Sequence, residues 1–91
     1  MVYKIIFSKK FAKSLKRLKK SGSFDIKQLE VVIDLLINKS ELPIRAKDHQ
    51  LKGEWLGFRE CHVQPDLLLV YEIYKDELRL AEIGSHSELF G

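Results

Sequence analysis

The run Leu67-Leu68-Leu69-Val70-Tyr71, continued by Glu72-Ile73-Tyr74, constrains the fold more than any other segment. Turn formers bracket it, Pro65-Asp66 on one side and Lys75-Asp76-Glu77 on the other. Between those turns there is room for a strand, and a strand apolar on both sides of its pleat belongs at the centre of a sheet with both faces covered. Residues 57–63 and 78–83 read as its antiparallel neighbours across the two turns.

The cover comes from the N-terminal half. Residues 2–7 read as a first strand. Ser8 then fits a helix N-cap, and Phe11, Ala12, Leu15 and Leu18 recur at helical spacing with lysines on the other face. This predicts an amphipathic helix over 9–20, ended by Ser21-Gly22-Ser23, with Gly22 able to take the left-handed conformation. Asp25 is a second N-cap, and Leu29, Val32, Ile33, Leu36 and Ile37 mark a second helix running to about Asn38. Two helices joined so closely form an antiparallel hairpin. Residues 39–50 read as a loop, 51–56 as a short strand or turn, and 84–91 as a polar tail. The order is β-α-α-β-β-β: an α+β fold, one domain over 1–91, with a helix hairpin on one face of a small twisted, mostly antiparallel sheet.

Charge is unevenly spread. Residues 1–20 hold eight lysine and arginine side chains and no acid, whereas the other 71 residues hold eight basic and 13 acidic ones. A concentrated basic helix attracts a polyanion such as nucleic acid or an acidic protein; its bland alternative is a solvated helix face. The lone Cys61 forms no internal disulfide, and no apolar run is long enough to cross a bilayer, so a cytoplasmic protein is expected.

The three histidines, His49, His62 and His86, each fall among polar residues where a strand begins or ends. Imidazole moves protons near neutral pH. Two such groups can cleave RNA without a metal. One takes the proton of a ribose 2′-OH, which attacks phosphorus; the other protonates the leaving 5′-oxygen, while a cation stabilises the phosphate. Asp66 is either a turn former or a group that orients a histidine. Phe90 either stacks on a base or anchors the tail. In a regular strand Glu60 and His62 share one face and Arg59, Cys61 and Val63 the other, so Arg59 joins His62 only if a bulge intervenes. A zinc shell of the histidines with Asp66 is the competing chemistry, but no pair has the i,i+4 spacing of a metal-binding helix.

Three segments occur together in order: Lys47-Asp48-His49-Gln50-Leu51-Lys52-Gly53, then Phe58-Arg59-Glu60-Cys61-His62-Val63-Gln64-Pro65-Asp66, then Gly84-Ser85-His86-Ser87-Glu88-Leu89-Phe90. With them the whole chain resembles the YafQ-type branch of the RelE/ParE toxin superfamily. That resemblance implies a type II toxin that cleaves messenger RNA on the ribosome, without metal or other cofactor, and is held in check by an acidic antitoxin. It implies a catalytic set of His49, His62, Asp66 and His86, with His86 as general acid and the base among the other three. It places Phe90 near the substrate nucleotide, and the basic helix over 9–20 against ribosomal RNA. Lys52 or Arg59 is expected on the phosphate. Where related toxins often carry a tryptophan after the motif aspartate, this chain has Leu67. The other reading is a non-catalytic ParE-like toxin that binds DNA gyrase, for which a set of histidines would have no use.

Overall fold

The computed structural model describes residues 2–22 and 24–91. Its elements are β1 (Lys4–Phe7), α1 (Lys9–Ser21), α2 (Ile26–Ile37), β2 (His49–Gln50), β3 (Arg59–Gln64), β4 (Leu67–Tyr74), β5 (Glu77–Gly84) and α3 (His86–Phe90). Single 3-10 turns at Ile44–Ala46 and Gly53–Trp55 punctuate the segment around β2. The five strands lie in the order β1-β5-β4-β3-β2, with β1 parallel to β5 and every other pair antiparallel.

The expected α+β fold is present with β4 inside the sheet, and the expected caps close the helices. Ser8 Oγ accepts from Phe11 N–H at 2.9 Å, and Asp25 Oδ1 from Lys27 N–H at 3.0 Å. Gly22 ends α1 at φ 79°, which glycine reaches without the Cβ clash other residues meet. Ser23, the last residue of the expected helix end, lies outside the described residues.

Two elements differ from expectation. The loop read over 39–50 ends in a two-residue strand, β2. The polar tail contains a short helix, α3, with a complete capping box: Glu88 N–H donates to Ser85 Oγ at 3.2 Å, and Ser85 N–H to Glu88 Oε1 at 2.8 Å. The serine and glutamate three residues apart were a visible signal for it.

Strand alternation sorts side chains between the two faces. Leu69, Tyr71, Leu78, Leu80, Ile83, Cys61 and Val63 face the helices and join Phe11, Leu29, Val32 and Leu36 in one core. Leu68 and Val70 point the other way, yet they too are fully buried. Over that second face lies α3. A Cβ on Gly84 would come within 3.1 Å of Glu88 Oε1 and 3.4 Å of Leu89, so α3 lies close over β5 at this glycine.

Candidate active site

The face away from the helix pair carries two cross-strand rows. One runs His49, Glu60, Val70, Glu82; the next runs His62, Leu68, Gly84. Residues directly opposite in register point to the same side, so His49, Glu60 and His62 share this open face.

His49 is held by a hydrogen bond at one ring nitrogen. Its Nδ1 lies 2.7 Å from the carbonyl oxygen of Lys47. A carbonyl only accepts, so Nδ1 carries the proton of the neutral ring and Nε2 presents a lone pair. That Nε2 lies 3.8 Å from Glu60 Oε1. Glu60 is 5% exposed, the one charged side chain among the described residues that is buried.

His86 occupies the first turn of α3, directly after its cap Ser85. Its backbone N–H donates to Asp66 Oδ1 at 3.1 Å. Asp66 sits in the β3–β4 turn at φ 56°, a conformation that aspartate tolerates better than most residues. It therefore ties the turn to the start of α3. The His86 ring lies 5.4 Å from that of Phe90; Phe90 contacts Trp55 at 6.3 Å, and Trp55 meets Phe58 edge-on at 5.4 Å. These contacts draw α3 across the open face toward the turn that follows β2. Glu88 adds a tether to α1 through Arg17, at 2.8 Å. Its carboxyl is held below the usual carboxylate range, chiefly by the backbone N–H of Ser85.

The fold thus puts His49 and His62 on one face, ties Asp66 to the start of α3 where His86 stands, and sets Phe90 between His86 and Trp55; Lys52 is exposed. His62 is half-buried and also borders an apolar groove formed with Val31, Val32 and Val63. Arg59 is not brought there. The register shift in β3 comes after His62, between His62 and Gln64, so it leaves Arg59 on the helix side. There Arg59 is committed to Asp48, with Nη2 at 2.9 Å and Nε at 3.3 Å from the two carboxylate oxygens. Among the described residues no three His, Cys, Asp or Glu side chains gather as metal ligands. Glu60 was the residue missed. Its alternation with His62 was legible, but its pairing with His49 depends on β2. Along the β5 side, Lys10, Lys13 and Arg17 of α1 line a shallow groove with Glu82, so the basic helix borders the same face.

A helix pair packed on one face of an open five-stranded sheet is the fold of the class to which the sequence resemblance pointed: the RelE-type toxins of bacterial toxin–antitoxin pairs. The chain belongs to the YafQ family of type II toxin–antitoxin toxins, whose family model matches residues 3–91. It is 39% identical over 88 residues to the mRNA interferase toxin YafQ of Escherichia coli K12, covering 96% of this chain and 95% of that one. The crystal structure of the E. coli DinJ–YafQ toxin–antitoxin complex superposes with a TM-score of 0.89 at 37% identity, covering 100% of both chains. A metal-bound toxin from Helicobacter pylori superposes with the same TM-score of 0.89 at 50% identity, covering 99% of this chain and 100% of that one.

Proposed function

We propose that this toxin cuts messenger RNA on the open face of its sheet, with His49 as general base and His86 as general acid. The observation that carries the assignment is the setting of His49. Its proton is parked on Nδ1 against Lys47 O, its Nε2 lone pair is free to accept, and Glu60 waits 3.8 Å away for the charge that follows.

In the reaction, the ribose 2′-OH gives its proton to His49 Nε2 and the 2′-oxygen attacks the adjacent phosphorus. The bond from phosphorus to the 5′-oxygen breaks, and the departing oxygen takes a proton from His86. The products are a 2′,3′-cyclic phosphate, or the 3′-phosphate formed from it by hydrolysis, and a free 5′-OH. Lys52 and His62 supply positive charge beside the phosphate. Phe90, with Trp55 behind it, offers a ring to a base. Asp66 acts through α3: it holds the backbone of His86 and so sets where the acid stands. These proton transfers ask nothing of a metal ion, so a chelator is expected to leave the rate unchanged; the metal-bound Helicobacter relative makes that control worth running.

The basic face of α1 contacts ribosomal RNA, which brings the open face to the translated message. Phosphate contacts of this kind are sequence-blind and weaken with salt. As in the E. coli pair, the partner is an antitoxin, here an acidic one that covers the cationic rim and blocks the histidine face. With messenger RNA and ribosomes as its targets, the toxin acts in the cytoplasm.

The test is to express the chain in cells and map messenger-RNA ends, alongside His49→Ala and His86→Ala. Cuts within translated codons that vanish in both variants are expected. Growth arrest that persists in both, with the fold intact, would overturn the nuclease reading and favour a binding toxin.

A further inference from the structure

Directly behind the histidine face, on the helix side of the sheet, Asp48, Arg59 and Tyr71 form a closed cluster. Arg59 grips both carboxylate oxygens of Asp48, at 2.9 and 3.3 Å, in the fork geometry that guanidinium and carboxylate favour. The Tyr71 hydroxyl donates to the Asp48 oxygen that Arg59 Nε also reaches. Tyr71 is 1% exposed, which anchors the cluster in the core. Each member is the chain neighbour of a residue on the opposite face: Asp48 precedes His49, Arg59 precedes Glu60, and Tyr71 follows Val70, the partner of Glu60.

We infer that Asp48, Arg59 and Tyr71 are positioning residues that fix His49 against Glu60 through the sheet. The inference rests on the reading of His49 as the base. The need for such a device is visible in β2, which has two ladder pairs, His49 with Glu60 and Gln50 with Arg59. Two pairs do not hold a strand by themselves. Because adjacent residues point to opposite faces, pinning the Asp48 side chain behind the sheet aims His49 in front of it; a slip of one residue would turn His49 away. Tyr71 and Arg59 also keep their protons as pH rises. Burial, then the bond to Asp48, pushes the Tyr71 hydroxyl well above its ordinary value, so it stays a donor. Arg59 is held in its charged form first by the same carboxylate.

Three variants decide the matter: Tyr71→Phe, which removes only the hydroxyl; Asp48→Asn; and His49→Ala. Messenger-RNA cleavage is measured as kcat and KM, and the ring resonances of the three histidines are followed by NMR. Tyr71→Phe is expected to lower kcat by about tenfold or more, as misplacing a reacting group does, with KM little changed. It should shift the His49 ring signals and leave those of His86 in place. Combined with His49→Ala it should cost nothing further, because both changes act on the same group. Unchanged kcat and unchanged His49 signals in folded Tyr71→Phe and Asp48→Asn would overturn the inference, and so would a Tyr71→Phe loss that multiplies with that of His49→Ala. Should Asp48→Asn not fold, Tyr71→Phe alone decides. If His49→Ala leaves cleavage intact, the base assignment falls instead, and the His49 signals in Tyr71→Phe still report whether the cluster positions that ring.

Discussion

Replacing Asp66 separates a capping role from a proton-transfer role, because asparagine and alanine part ways there. The carboxylate accepts the His86 N–H at 3.1 Å and sits at φ 56°. The asparagine amide oxygen accepts the same hydrogen bond and asparagine tolerates the left-handed region, so Asp66→Asn preserves both features. Alanine loses both. The lost hydrogen bond to the His86 N–H costs about 1 kcal/mol, felt by α3, and the left-handed backbone costs alanine roughly another 1 kcal/mol, felt by the whole domain. The first loss shifts the balance between docked and frayed α3 by about fivefold. It should appear as faster amide exchange at Leu89 and Gly91, whose N–H groups donate to Ser85 O and Ser87 O within α3. The second loss should lower Tm by about 4–8 °C for a domain of this size. Cleavage is expected to fall by no more than about fivefold in Asp66→Ala, and by less the more firmly α3 is docked, and to stay near wild type in Asp66→Asn. The reasoning is refuted if Asp66→Asn abolishes cleavage while α3 stays protected, since the carboxylate itself would then be moving a proton. Unchanged exchange at Leu89 in Asp66→Ala would refute the capping account directly.

The remaining predictions concern pH, charge and the core. Burial pushes the Cys61 thiol up to about 12, so the native protein should resist thiol reagents near pH 8 and react once unfolded. Because the folded value is raised, the stability linked to this thiol is fully present below the unfolded value, near 8.5, and is lost as pH climbs toward 12. Urea midpoints should therefore drop between pH 8 and 10.5, and by less in Cys61→Ala, compared with each variant's own value at pH 8. Replacing Lys10 and Lys13 together by glutamine should weaken RNA binding equally across sequences and lower the salt slope of binding by about 1.4–1.8, measured by titration at several salt concentrations. Phe11, 1% exposed, anchors α1 in the core; Phe11→Ala should cost about 3–5 kcal/mol in denaturant unfolding.

Much of the architecture was legible because it follows local rules. Ser8 and Asp25 cap helices through contacts two or three residues away. Leu67–Tyr74 is a central strand because its residues are apolar on both sides of the pleat. The capping box of α3 was equally local, yet 84–91 read as a tail, because five residues that include a histidine, a serine and a glutamate carry no helical stripe. What holds α3 is tertiary: Asp66, Arg17 and Trp55 come from three other segments.

The histidines could be picked out as candidates for proton transfer from residue type and setting alone, and the order of the three motifs pointed to the family. Which partner each one meets was beyond any local rule. Lys47 O turns His49 toward Glu60 only because β2 pairs with β3, and that pairing depends on long-range register. Arg59 looked available for a phosphate until the fold delivered Asp48 to it from 11 residues away. Periodicity and capping act over a turn or two of chain and are written into residue order. Hydrogen bonds between segments exist only once the sheet has closed, so the use of each charged group is decided there.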